Sequence, residues 1–372
     1  MRVPDVPPPV DKLQPLVNRA VAEVGAAKFS TSCGYLVRDV LYLAAVLLLT
    51  RAAVELGVST WLIYPIYSIV AGTVATGLWV LGHECGHGAF GSSPLQNDSV
   101  GFVLHSLLLV PYFSWQFTHA KHHRHTNHLH HGETHVPKTL EGKALDAAVH
   151  SALGEGPFAV FNIVTTLLFG WPVYLLTNAS GGSLQHDHAS KISPKLAADH
   201  FRPWSQIFPP KMQGRVAASA LGCVAALLAL GWAGGRAAFF WYAGPYLVVN
   251  AWLVGYTWLQ HTHKEIPHYG QEVPFLQGAL CTVDRPYPWL IDHLHHHIGT
   301  THVAHHISSR VPHYKAGALT QKLALVLGDY YLYDPTPVWT ALWEAASCCH
   351  YIGDTEGTQK YRSFGSADRK RA

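Results

Sequence analysis

The sequence predicts an all-α integral membrane protein: four transmembrane helices in two hairpins, with interfacial helices between them. Three observations predict it. Charged residues make up 13% of the 372-residue chain, against about 25% in soluble domains. Long stretches carry no Asp, Glu, Lys or Arg at all. Histidine, with 27 copies, outnumbers Lys and Arg combined at 26, and it gathers at the ends of those stretches. An apolar content of 49% excludes a disordered tail, and six Cys in so long a chain exclude a disulfide-stapled scaffold. A net charge of +3 offers no dense basic stripe, so nucleic acid is not an expected partner.

Along the chain, residues 1–37 read as a polar, Pro-rich cytosolic segment without the short apolar core of a secretory signal. Residues 39–57 form a first candidate span, interrupted by Arg51 and Glu55; Arg51 can snorkel to an interface. Residues 61–82, 157–185, 216–235 and 237–260 are free of charge, and each reaches the ~20 residues that a bilayer requires. Residues 99–118 are weaker, because they hold His105, Pro111 and Gln116. Only Arg236 separates 216–235 from 237–260, which therefore read as a hairpin, as do 39–57 and 61–82. The polar run from 181 to 211 is expected to be a surface excursion inside a single domain, 38–361. A basic tail, 362–372, ends in Arg369, Lys370 and Arg371 and belongs on the cytosolic side. Cys33, Cys85, Cys223 and Cys281 are scattered and Cys348 adjoins Cys349, a pattern of reduced thiols.

Three histidine clusters carry the chemistry. His83-Glu84-Cys85-Gly86-His87 closes the 61–82 stretch, and residues four apart share a helix face. His119-Ala120-Lys121-His122-His123 and His302-Val303-Ala304-His305-His306 repeat His-x-x-His-His, in which positions i, i+3 and i+4 meet on one side. The run from His293 to His297 satisfies the same pattern beside Gly299. A shuffled chain of this composition would show the pattern roughly 0.14 times; here it occurs three times. Imidazole is the commonest metal ligand near neutral pH. The boxes offer eight imidazoles, His83, His87, His119, His122, His123, His302, His305 and His306. That exceeds the six or so that one first-row metal takes, so two metals are expected. Carboxylates are scarce nearby, and Glu84 and Asp292 are cast as groups that orient ligand histidines from behind.

Topology follows from the boxes. They can share a site only from one membrane side, so 99–118 must be interfacial or re-entrant. An even number of spans must separate the second box from the third. Residues 157–185, with Asn162, Pro172 and Asn178, are the ones expected to lie on the surface.

These residues resemble the three histidine boxes of the membrane fatty acid desaturases. Several further motifs are similar to those of the oleate Δ12 (ω-6) desaturases. They are Leu259-Gln260-His261-Thr262-His263 with Pro267-His268-Tyr269, Gly278-Ala279-Leu280 with Val283-Asp284-Arg285, and Pro312-His313-Tyr314. Leu109-Val110-Pro111-Tyr112-Phe113-Ser114-Trp115 and Gly170-Trp171-Pro172 belong to the same set, and Tyr351-Ile352-Gly353-Asp354 resembles fungal members. The resemblance runs from about residue 38 to 361. It implies a four-helix membrane anchor under a cytosolic helical cap, with two iron ions held by the boxes, O2 as oxidant and electrons from NADH through a separate cytochrome b5 and its reductase. The product would be a cis double bond in a fatty acyl chain, carried on phospholipid or coenzyme A and presented through an apolar tunnel. The implied place is the endoplasmic reticulum membrane, with boxes and both termini cytosolic. The family's additional nitrogen ligands suggest His261 and His296 as further metal ligands, while His125, His128, His130 and His131 read as solvated loop residues. Gly88 departs from many plant Δ12 enzymes, which carry a second His there. No His-Pro-Gly-Gly haem motif occurs, so the electron donor is expected to be a separate protein.

Within the family, an ω-3 desaturase, hydroxylase, conjugase or acetylenase would share the same boxes. Outside it, His83-Glu84-x-x-His87 also spells the His-Glu-x-x-His motif of a zinc protease, with Glu84 as general base. That reading leaves six box histidines unused. A His-rich metal transporter would need ionisable residues inside its spans, and 61–82 and 216–235 have none.

Overall fold

The computed structural model describes residues 1–182 and 198–365. The basic tail at Arg369, Lys370 and Arg371 and residues 183–197 of the 181–211 excursion lie outside the described residues. The described chain is helical in this order: α1 (Val10–Val24), α2 (Phe29–Glu55), α3 (Thr60–His87), α4 (Pro94–Leu107), α5 (Tyr112–Arg124), α6 (Ala144–Leu153) and α7 (Glu155–Thr177). After the gap come α8 (Gln213–His261), α9 (Phe275–Ala279), α10 (Trp289–Leu294), α11 (His302–Ile307), α12 (His313–Leu327) and α13 (Val338–Cys348). A two-residue antiparallel pair, β1 (His268–Tyr269) with β2 (Thr358–Gln359), ties the loop after α8 to the C-terminal segment.

Four helices are long and apolar enough to cross a membrane, and the described fold is that of a multi-pass membrane protein. α2 and α3 form the first expected hairpin; α2 begins at Phe29, ten residues before the expected start, and turns Leu41, Leu48 and Leu49 outward to where lipid would lie. The second hairpin is one long helix, α8, broken at Gly235, where φ 55° and ψ −132° require glycine. Beyond that break α8 returns along α3: Tyr64 stacks on Phe240, Gly72 fits against Pro245 and Val248, and Trp252 Nε1 donates to Thr73 Oγ1 at 3.0 Å. Trp61 and Trp232, at the far ends of the two hairpins, are 88% and 92% exposed, the placement of an interfacial aromatic belt.

α4 and α5 are bent against each other by 107°, with Leu109 at φ 55° in the break. Since α5 brings the second box back beside the first, the pair enters and leaves on one side, as a re-entrant unit. Ser93 opens α4 with a capping box to Gln96, and Pro94 occupies its first position.

α7 satisfies the same length and hydropathy test as the spans. Length and hydropathy therefore do not set it apart as the surface helix the sequence suggests; Trp171, Tyr174 and Leu175 pack on Trp79, Val249, Leu253 and Val254, and Ala159 packs on Trp258, Leu259 and α13.

Within the polar N-terminal segment, Leu13, Val17 and Ala20 of α1 pack into one core with Val303, Ala304, Leu319 and Leu323, directly behind the third box. Their i, i+4, i+7 spacing is that of an amphipathic helix, diluted in the sequence by prolines and charges. At the other end of the domain, Arg362 exchanges backbone hydrogen bonds with Tyr351, and Phe364 is buried on Tyr351 and His350.

Candidate metal centre

The first box occupies the last turn of α3. Gly88 ends that helix in the left-handed conformation, φ 71°, so that its N–H reaches Cys85 O and the N–H of Ala89 reaches Glu84 O. A His at 88, as in the plant pattern, would carry backbone strain there. The second box is the last turn of α5, and the third is α11 itself.

The imidazoles do not group box by box. One group gathers His83, His87, His119, His123 and His305, whose ligand atoms all lie within 4.8 Å of one another. Within it, His83 Nε2 is 2.9 Å from His119 Nε2 and 3.3 Å from His87 Nε2, and His123 Nε2 is 3.2 Å from His119 and 3.1 Å from His305. The other gathers His122, His261 and His306. His302 joins it, with Nε2 3.0 Å from that of His261, while His122 Nε2 lies 3.2 Å from His261 on its other side. Helix geometry explains the partition. At about 100° per residue, i and i+4 lie within ~40° of each other while i+3 falls ~60° to the other side. So His119 and His123 enter the first group and His122 the second, whereas in α11 His302 and His306 enter the second and His305 the first.

Each group could hold a metal ion, and the donors suit a transition metal. Burial holds the His305 imidazole down at about 3, and burial plus neighbouring imidazoles pushes His302 and His306 well below their ordinary value. These rings are therefore neutral, which is the ligating form. His306 shows how the tautomer is set. Its Nδ1 lies 3.1 Å from Thr126 Oγ1, whose own hydroxyl is 3.2 Å from the carbonyls of His122 and His123. The chain of donors runs from Nδ1–H to Oγ1 and from Oγ1–H to a carbonyl, which leaves the buried, unpartnered Nε2 of His306 with its lone pair inward. Nothing in the sequence around Thr126 signals this role.

Other expected groups fall elsewhere. Glu84 is buried behind the first box, where Oε2 accepts the His313 backbone N–H at 2.8 Å and Oε1 lies 3.8 Å from His83 Nδ1. It faces the outer nitrogen of His83, away from the inward Nε2 atoms, which is not where a protease's general base must stand. Asp292 does not reach a box histidine: Oδ2 pairs with His297 Nδ1 at 2.5 Å and Oδ1 accepts Thr300 Oγ1 at 2.8 Å, closing the turn after α10. Its hydrogen bond raises the pKa of His297. His296 is buried away from both groups, with Nε2 2.6 Å from Asp39 Oδ2 and Nδ1 3.4 Å from Arg38 Nη2, so both ring nitrogens face other partners. That latch joins the loop before the third box to α2, and no local pattern signals it, since Asp39 lies more than 250 positions away in sequence.

Asp284 is fully buried with Oδ1 accepting the Val303 N–H at 2.8 Å and Oδ2 the Tyr331 hydroxyl at 2.6 Å; burial pushes its carboxyl up to about 7, against those hydrogen bonds. The loop histidines are less solvated than expected. His128 is 5% exposed, and its Nδ1 accepts the backbone N–H of His130 and His131 at 3.1 and 3.2 Å. Its Nε2 then carries the proton toward Glu272, 3.4 Å away, so the His128, His131 and Glu272 group closes a loop without offering that ring to a metal.

A cavity of about 320 Å³ reaches the first group at His119, and Trp79, Trp115, Trp171, Leu253 and Val254 form its inner wall. Trp115 stacks on His119 with ring centroids 4.5 Å apart, and Trp79 on His83 at 5.5 Å. Apolar faces thus seal the imidazoles on the side where an apolar chain would arrive.

The fatty acid desaturase family model matches residues 59–337. The chain is 41% identical over 312 residues to a Delta(12) fatty acid desaturase of Mortierella alpina, covering 79% of this chain and 76% of that protein. It is 37% identical over 360 residues to an oleate hydroxylase of Claviceps purpurea, covering 88% and 75%. It is 39% identical over 304 residues to an omega-6 fatty acid desaturase, endoplasmic reticulum isozyme 2, of Glycine max, covering 80% and 76%. With its boxes gathered into two buried imidazole groups beside an apolar cavity, this chain belongs to the fatty acid desaturase family of membrane oxidoreductases.

Proposed function

We propose that the chain is an O2-dependent di-iron desaturase that introduces a cis double bond into a monounsaturated acyl chain, converting oleate to linoleate. The observation that carries this reading is the pair of inward-facing imidazole groups, five and four rings, beside the tryptophan-walled cavity. The five rings of the first group, and His122, His261, His302 and His306 of the second, would each hold one iron. Bound there, the irons supply the reduction of O2 and the removal of hydrogen from an unactivated methylene pair. What the protein's own residues do is geometric. Thr126 fixes the His306 tautomer, Glu84 and Asp284 hold the backbone of α12 and α11, and Trp79, Trp115 and Trp171 place a chain against the first group and exclude water.

The Δ12 position is supported by the names of the Mortierella and Glycine relatives, and the latter also supports the endoplasmic reticulum. On this reading the boxes face the cytosol, electrons come from NADH through cytochrome b5, and the acyl chain rides on phospholipid or coenzyme A. A hydroxylase is the second reading, favoured by the Claviceps relative, which matches 88% of the chain. Expression in a yeast that makes only monounsaturated fatty acids, followed by fatty-acid profiling, separates them. Linoleate is the expected product; a hydroxylated or conjugated acid would reassign the activity, and an ω-3 product would reassign the position.

A further inference from the structure

Residues 283–285 lie between the two elements that carry His261 and His302. Val283 donates its backbone N–H to Gln260 O at 3.1 Å, and Arg285 Nε donates to Leu259 O at 3.0 Å. Both carbonyls belong to the last turn of α8, where helical partners are missing. In the other direction, Arg285 donates its backbone N–H to Gly299 O at 3.2 Å and Asp284 Oδ1 accepts the Val303 N–H at 2.8 Å. The segment is itself clamped from behind. Tyr331 donates to Asp284 Oδ2 at 2.6 Å, the Asp284 N–H meets Leu332 O at 3.0 Å, and Arg285 Nη1 pairs with the Asp334 carboxylate. Asp284 and Arg285 are 0% and 1% exposed, so none of these groups has water as a substitute partner.

We propose that Asp284 and Arg285 form a splint that sets the spacing of His261 and His302, and thereby positions the second imidazole group specifically. The inference rests on the di-metal reading of the site. Its specificity comes from what the splint touches. Among the described ligand candidates, α8 and α11 supply three of the four rings in the second group but only His305 in the first. The other four rings of the first group stand on α3 and α5, which the segment does not hold. Asp284 and Arg285 are positioning residues: they act through the backbone of Leu259, Gln260, Gly299 and Val303.

The test uses the full chain purified from an iron-supplemented host, with iron per chain measured by mass spectrometry and backbone protection by hydrogen exchange. Asp284→Ala and Arg285→Met are expected to halve the iron content, as is the reference variant His261→Ala. Exchange should rise over 256–262 and 299–307 while 80–90 stays protected. Retention of both ions with unchanged exchange, or equal loss of protection in all three segments of a chain that still melts cooperatively, overturns the proposal. Should both variants fail to fold, Tyr331→Phe removes one contact only; it must release the second ion to a chelator faster than wild type, and an unchanged rate counts against the splint. Wild-type protein holding fewer than two ions would refute the di-metal reading instead, and the exchange pattern alone would then decide the splint.

Discussion

Replacing Thr126 by Val removes one oxygen from behind the second imidazole group and leaves nearly the same volume. Thr126 is 3% exposed, and its Oγ1 accepts from His306 Nδ1 at 3.1 Å while donating to a carbonyl of the preceding turn. In the Val variant a buried Nδ1–H has no acceptor, which costs about 1–3 kcal/mol. The ring can recover that cost by turning or by moving its proton to Nε2, and either step removes the lone pair that faces inward. Partners of this kind typically contribute 10–100-fold in metal affinity, about 1.4–2.7 kcal/mol. The assay is competition with a graded iron chelator, read as iron remaining per chain. One of the two ions should be lost at 10–100-fold lower chelator concentration in Thr126→Val, and Thr126→Ser, which keeps the hydroxyl, should restore most of the difference. Wild-type retention in the Val variant, or a Ser variant as weak as Val, would refute the directional hydrogen-bond argument.

Further predictions concern the rest of the site. His122→Ala and His305→Ala each remove a ring from a different group, and both should abolish fatty-acid conversion while the chain still fractionates with membranes; full activity in either would end the ligand assignment. Metal analysis of the purified chain should return two irons, and a single zinc would return the chain to the protease reading. Gly82→Ala should destabilise by about 1–3 kcal/mol through overpacking, because the new Cβ would lie 2.3 Å from His105 Cδ2. That ring has no room to yield, being stacked on Trp79 and held edge-on against Trp115; an unchanged thermal midpoint would show that it does.

The large features of the fold were legible because they rest on local composition. A bilayer excludes charge, so uncharged runs locate α3 and α8 within a few residues, and the requirement that the boxes meet on one side anticipates the 107° bend between α4 and α5. What escaped depends on partners far apart in the chain. α1 reads as a polar segment until Leu319 and Leu323 cover its apolar face. Asp292 and His296 stand close to the third box in sequence, yet local turn geometry gives Asp292 to His297, and α2 gives Asp39 to His296. Asp284 and Arg285 fall within a visible motif, but their task is not legible there, since every partner named for them lies at least fourteen positions away.

The histidine boxes are units of sequence, and the metal groups cut across them. His-x-x-His-His turns its middle ligand ~60° and ~100° around the helix from the outer two, so each such box serves two sites at once. Because α5 gives two rings to the first group and one to the second, while α11 does the reverse, the two helices face each other across the groups. The first box adds His83 and His87 to the first group alone. Eight box histidines therefore divide five to three, and the shorter side calls for a ligand from outside the boxes. His261, at the last residue of α8, supplies it. A helix end is a poor place to hold a ligand rigidly, since its final carbonyls lack helical partners and its last turn frays. His261 is accordingly held from outside its own helix, by Arg285 on the carbonyl two residues before it, and His306 is held from behind by Thr126.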